Sequence, residues 1–146
     1  MKRFLFSIFI TTSLFSNLLS TGFPDFVTDV DGSVIDLKEL VAKKRVVVIT
    51  IKTAECPVCQ SQLIRIKKKL NVLVACNVTF LVLSPGSVDK IKKAKSITQF
   101  PFPFIMDTNL AISKSLNLVD DKTKKPLNYI IRYWEKEFKE IKPKKI

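Results

Sequence analysis

One junction constrains the fold of this chain more than any other feature. An unbroken β-branched run, Val46-Val47-Val48-Ile49-Thr50-Ile51, is followed closely by Cys56-Pro57-Val58-Cys59, and a helix-patterned stretch continues to Leu70. Such a run marks a strand buried on both faces at the centre of a sheet. The first cysteine then falls at a helix N-terminus, where unpaired backbone N–H groups and the helix dipole favour thiolate over thiol. The second lies roughly one helical turn on. It is placed to close a mixed disulfide or a sulfenic acid into an internal disulfide. Pro57 suits the first helical position, where its missing N–H would have had no partner. The pattern points to redox chemistry at Cys56 and Cys59. A structural disulfide or half of a metal site are the alternatives.

Composition narrows these choices. The chain of 146 residues suits one domain, and 47% hydrophobic with 26% charged residues is a globular rather than a disordered balance. It contains no histidine, which excludes Ser-His-Asp triads, histidine acid–base catalysis and His-ligated metals. Cys76 is the one soft ligand outside the motif, so an intramolecular zinc site lacks donors and no metal is expected. Haem attachment needs a histidine where Gln60 stands. Three cysteines do not make a disulfide-stapled scaffold. Cys76, just ahead of an apolar run, is expected in the core.

The formal net charge is +12. Its lysines are spread along the whole chain, at Lys67 to Lys69, Lys90 to Lys95, Lys122 to Lys125 and Lys136 to Lys145, while the aromatic residues are patterned as core. This reads as a solvated basic surface and not as a nucleic-acid interface. Residues 1–22 read as a targeting segment. Lys2-Arg3 precede an uncharged apolar stretch from Phe4 to Leu19, which serine, threonine and asparagine interrupt. The alternatives are a cleaved signal peptide and an uncleaved signal anchor that would associate the chain with a membrane. Either one directs residues 23–146 to an extracytoplasmic, periplasmic or secreted, location where a Cys-x-x-Cys pair can cycle.

Along the mature chain, Asp31-Gly32 between extended residues predicts a hairpin within Val27 to Leu37. Leu37 to Ala42 reads as a short helical turn, Pro57 to Leu70 as a helix, and Val78 to Leu83 as a second buried strand. Val88 to Lys95 is helical in pattern, Phe100 to Pro103 is a rigid extended loop, and Asn109 to Leu116 is a short helix. Leu127 to Trp134 is a third strand with Phe138 to Ile141 as its hairpin partner. Alternating strands and helices imply an α/β sandwich whose first two core strands run parallel.

Phe23-Pro24-Asp25-Phe26, the Asp31-Gly32 turn, the central run, Cys56-Pro57-Val58-Cys59, Ser84-Pro85, Phe100 to Pro103, Asp107 and Leu116-Asn117-Leu118 together resemble the peroxiredoxin and thioredoxin-like branch of the thioredoxin superfamily. The resemblance implies a three-layer α/β/α sandwich with an N-terminal hairpin. It leaves open whether the final helix is missing or whether Trp134 to Lys142 is helical and the last strand missing. It implies Cys56 as nucleophile and Cys59 as resolving thiol. Thr53 takes the place of the threonine that orients a peroxide, Pro126 that of the cis-proline shaping a substrate groove, and Pro57 contributes to the same surface. Peroxiredoxins carry a proline where Ile49 stands, and an arginine near Lys124-Lys125-Pro126, where none occurs.

The implied activity is thiol–disulfide exchange without a bound cofactor, recycled by a separate thiol electron donor and acting on a disulfide-bearing protein. A thiol-dependent peroxidase and a degenerate binding module are the alternatives. Asp107 is expected as a turn or cap residue. Glu55 would oppose thiolate formation at Cys56 while Lys52 and the helix end favour it, a balance that residue order leaves open.

Overall fold

The structure is a computed structural model describing residues 24–127, together with the backbone of 130–134 and 137–139. The targeting segment at residues 1–22 lies outside the described residues, as does the chain after 139. No helix among the described residues is long and apolar enough to cross a membrane.

The chain opens with a hairpin of β1 (Phe26–Thr28) and β2 (Val34–Asp36), antiparallel as Asp31-Gly32 predicts. Gly32 takes φ +91°, a conformation that strains any other residue. Asp29 also holds the turn, its carboxylate accepting from the Asp31 and Ser33 N–H groups at 3.0 and 2.8 Å. The hairpin leads into α1 (Leu37–Lys43), capped by the Asp36 carboxylate on the Glu39 N–H at 3.0 Å.

The central strand β3 (Arg45–Thr50) is followed by α2 (Pro57–Lys67), α3 (Leu70–Ala75), β4 (Val78–Ser84), α4 (Val88–Thr98) and β5 (Phe104–Met106). A 3₁₀ turn (Thr108–Leu110) runs into α5 (Ala111–Ser115). Strands β6 (Ile130–Trp134) and β7 (Glu137–Lys139) complete a five-stranded sheet in the order β5-β4-β3-β6-β7. β3 pairs parallel with β4 and antiparallel with β6, so it is central, as its β-branched run requires.

Alternation along the strands makes two cores. Ile49, Ile51, Phe80 and Val82 face α2 and α4 through Cys59, Leu63, Ile91 and Ala94. Val46, Val48, Leu81 and Leu83 face the other way, onto Leu37, Ile105, Leu116 and Leu118. The result is the expected three-layer α/β/α sandwich. Phe100 is buried and packs on Phe80 with ring centroids 5.8 Å apart, edge to face, which is why the Phe100 to Pro103 loop holds its course.

Four expectations need correction. The helix from Pro57 does not run on through Leu70. It stops at Lys67, and α3 starts at Leu70, because the apolar face of Leu63 and Ile66 gives out at Lys68-Lys69 and Leu70 and Leu73 open a new one. Cys76 is exposed, not core. It sits in the turn that ends α3, beside Asn77 at φ 58°, before the strand begins at Val78. Asn109 to Leu116 is not one helix, since Asn109 and Leu110 both adopt left-handed backbone and α5 begins only at Ala111. The alternative of a helix over Trp134 to Lys142 fails, because Glu137–Lys139 pairs with β6.

Candidate active site

The loop between β3 and α2 positions the first cysteine. The Cys56 N–H donates to the Thr53 carbonyl at 3.2 Å, and the Gln60 side-chain amide donates to the Ala54 carbonyl at 2.8 Å. Ala54 is buried, so the loop is pinned on both sides of Glu55. Cys56 then takes extended backbone as the N-cap of α2, with Pro57 in the first turn as expected.

As N-cap, the Cys56 sulfur accepts from the Cys59 N–H at 3.3 Å. The Cys59 thiol donates to the same sulfur, with the two Sγ atoms 2.7 Å apart. Burial pushes the Cys56 thiol up. Hydrogen bonds from the Cys59 thiol and from the Cys59 and Val58 N–H groups, with the Lys52 charge, outweigh it and hold Cys56 below its ordinary value. Cys59 goes the other way. Burial first, then its bond to Cys56, raise it to about 11. One thiol is therefore half-exposed and activated, and the other is buried and held protonated beside it.

The open balance at Glu55 also has an answer. Its carboxylate forms an ion pair with Lys90 at 3.0 Å, in the first turn of α4. That draws its charge toward Lys90, and the groups acting on Cys56 are the hydrogen bonds and Lys52.

An open cleft of about 330 Å³ lies beside the motif. Thr53 and Pro126 both line it, together with Lys52, Lys90, Lys124 and Lys125. Pro57 is exposed at the start of α2 and does not line the cleft. The Thr53 residue is exposed, and it meets Cys56 through its backbone carbonyl.

Pro126 is buried, but the bond before it is trans, since no peptide bond among the described residues is cis. In this form the Lys125 carbonyl accepts from the Asp120 N–H at 2.9 Å, and Val119 and Pro126 form an antiparallel bridge. The next residue, Leu127, gives its carbonyl to the hydroxyl of buried Thr50, tying this wall to the central strand.

Residue order does not distinguish Lys90 or Thr50. Lys90 is one lysine in a basic run, and Thr50 one member of a buried strand. Only the tertiary pairing with Glu55 and Leu127 distinguishes them. Asp107 is a cap, as expected. It is buried, and accepts from the Ile112 and Ser113 N–H groups at 2.8 and 3.0 Å and from the Ser113 hydroxyl. Among the described residues no cluster of cysteines and carboxylates converges to hold a metal ion.

A thiol at a helix N-terminus and a buried thiol one turn on, carried on a central-strand α/β/α sandwich, are placed as thiol–disulfide chemistry requires. Residues 20–136 match the AhpC/TSA family, and the chain belongs to that family. No curated protein matches it.

Among solved structures it is similar to a secreted Mycobacterium tuberculosis disulfide oxidoreductase homologous to E. coli DsbE. The two are 17% identical with a TM-score of 0.64, over 83% of this chain and 81% of that one. It is also similar to a mutant of PrxQ from Xylella fastidiosa, at 15% identity and a TM-score of 0.67, over 75% of this chain and 70% of that one. Reduced 2-Cys peroxiredoxin from Plasmodium vivax gives 23% identity and a TM-score of 0.63, over 75% and 72%. At these identities the structures speak for the fold. The family model speaks for thiol chemistry, with a thiol donor on one side and a disulfide or peroxide substrate on the other.

Proposed function

We propose that this chain is an extracytoplasmic thiol–disulfide oxidoreductase whose redox pair is Cys56 and Cys59. The observation that carries the reading is the geometry of the pair: the Cys56 sulfur caps α2, and buried Cys59 sets its N–H on that sulfur at 3.3 Å and its own Sγ 2.7 Å away. The Cys56 thiolate attacks a substrate disulfide, forms a mixed disulfide and expels one substrate thiolate, which takes up a proton. Cys59 then loses its proton, attacks the Cys56 sulfur and releases the second substrate thiolate. Two electrons pass to the substrate, and the Cys56–Cys59 disulfide waits for an external thiol donor.

In this reading Thr53 and Pro126 form the wall on which the attacked sulfur is seated, and Pro57 meets the substrate at the exposed helix start. Export rests on the Lys2-Arg3 and Phe4 to Leu19 pattern, and is supported by the family match beginning only at residue 20. It is also in keeping with a fold relative that is described as secreted. If uncleaved, residues 1–22 tether the domain to a membrane.

The test is thiol trapping. Cys56→Ser abolishes turnover of a model disulfide, and Cys59→Ser accumulates a mixed disulfide that Cys56→Ser does not form. Wild-type turnover by the Cys56 variant would sink the assignment. A thiol-dependent peroxidase is the second reading, favoured by Thr53, which lines the cleft and whose carbonyl accepts from the Cys56 N–H. Peroxidase chemistry requires that Cys56 lose its thiol to hydrogen peroxide orders of magnitude faster than an ordinary cysteine. A rate like that of an unactivated thiol leaves disulfide exchange.

A further inference from the structure

We infer that the cleft beside Cys56 selects disulfides flanked by carboxylates, whether on a protein segment or on a small thiol compound. This rests on the reading of Cys56 as the nucleophile, and it names the substrate class of that same site.

The cleft carries Lys52, Lys90, Lys124 and Lys125 against one lining carboxylate, Glu55. Glu55 is engaged by Lys90, so that pair cancels. Among the described residues, Lys52, Lys124 and Lys125 form no ion pair. Lys52 also acts on Asp120, whose carboxylate is turned onto the Lys122 and Thr123 N–H groups at 2.9 and 2.6 Å. Lys52 lines the same cleft as Lys124 and Lys125, and its charge is felt both by Cys56 and by Asp120 of the turn that carries them.

That turn is built rather than loose. The Lys124 N–H donates to the Asp120 carbonyl at 2.8 Å, and Lys124 holds left-handed backbone at φ 53°. A cleft with apolar walls and like charges at its rim attracts the opposite charge and raises its local concentration. A carboxylate two or three residues from a substrate disulfide would meet these lysines as the disulfide reaches Cys56. The exchange is the one already balanced above, and the carboxylates take no part in the bond changes.

The experiment uses the reduced full chain and peptide disulfides of equal length whose flanks are glutamate, glutamine or lysine, with glutathione disulfide as the small-molecule arm. The readout is the second-order rate of Cys56 oxidation at low and high salt. The glutamate peptide is expected to lead the lysine peptide by about tenfold or more at low salt, and the gap to close as salt rises. Lys124→Glu with Lys125→Glu is expected to reverse the order.

Glutathione disulfide keeping pace with the glutamate peptide would assign the site to small acidic thiols, and a far slower rate to protein segments. Both outcomes support the inference. Equal rates for the three peptides, with exchange still dependent on Cys56, would overturn the inference and leave the redox reading standing. The wild-type comparison needs no variant to fold. Absence of Cys56-dependent exchange with every disulfide would overturn both.

Discussion

The Cys59 N–H and the Cys59 thiol both point at the Cys56 sulfur, at 3.3 and 2.7 Å. One residue therefore supplies two of the bonds that stabilise charge on the other, and its own proton becomes harder to remove in return. The asymmetry needed for two-step exchange follows from the N-cap geometry of a single helix turn.

Alkylation of Cys56 in the reduced protein is expected to titrate below its ordinary value of 9.0, while Cys59 resists until near 11. Lys52→Met removes a charge that favours the Cys56 thiolate, so the Cys56 midpoint moves up and the rate at neutral pH falls. Iodoacetamide kinetics across pH read both effects. An unchanged midpoint in the Lys52 variant would show that the hydrogen bonds alone set it.

Stability follows from the same shifts. Cys59 has a folded value raised above its unfolded one, so its contribution is complete below 9.0 and is lost as pH rises through about 11. Cys56 is depressed in the folded state, so its contribution is present above 9.0 and fades as pH falls through its folded value. Urea midpoints of the reduced protein are therefore expected to drop between 9.0 and 11 more in wild type than in Cys59→Ala, the lysines titrating alike in both. Parallel curves would mean that Cys59 is not held protonated by folding.

Leu63 is fully buried beneath the motif, on the same helix face as Cys59. Leu63→Ala leaves a cavity between α2 and the sheet and is expected to cost about 2–5 kcal/mol. It also loosens the helix that presents Cys59, so chemical denaturation and the Cys56 alkylation rate should change together. A loss under about 1 kcal/mol would mean the site collapses to fill the space.

Much of this arrangement is legible in residue order because it is local. A β-branched run needs a central position, Asp-Gly needs a turn, and Cys-Pro-x-Cys needs a helix start, and each condition involves neighbours in the chain. Two of the features that residue order does not show depend on partners outside the local window. Glu55 is neutralised by Lys90 across the cleft. The trans bond at Pro126 goes with a bridge to Val119. Cys76 is left outside because α3 ends one residue earlier, at Ala75. Nothing within a few residues of Glu55 or Pro126 carries that information, whereas at Cys76 it is the exact end of a helix that residue order leaves open.

Asp107 tests the distinction between a cap and a catalytic acid. Its buried carboxylate accepts from two backbone N–H groups and a hydroxyl at the start of α5. Asp107→Ala strands those donors and is expected to cost about 2–4 kcal/mol. Asp107→Asn keeps one acceptor oxygen and should lose less. Exchange rates of the folded fraction should be close to wild type in both. A selective loss of rate in a stable Asn variant would place Asp107 in the chemistry instead.

Lys124 shows whether the basic turn is kept for function at the expense of stability. Its left-handed backbone costs a non-glycine residue about 1–2 kcal/mol, of which glycine would recover part after its own greater loss of chain entropy. Lys124→Gly is therefore expected to leave stability unchanged or raise it by about 0.5–1 kcal/mol. The same change removes one cleft cation, so the preference for the glutamate-flanked peptide should shrink. Lys124→Ala separates the two effects, since it loses the charge and keeps the strain. A lower unfolding midpoint for the glycine variant than for the alanine variant would show that the turn does not hold Lys124 in this conformation. A midpoint at or above wild type, with selectivity reduced, would mean that a lysine stands where glycine fits better, because its charge is used in the cleft.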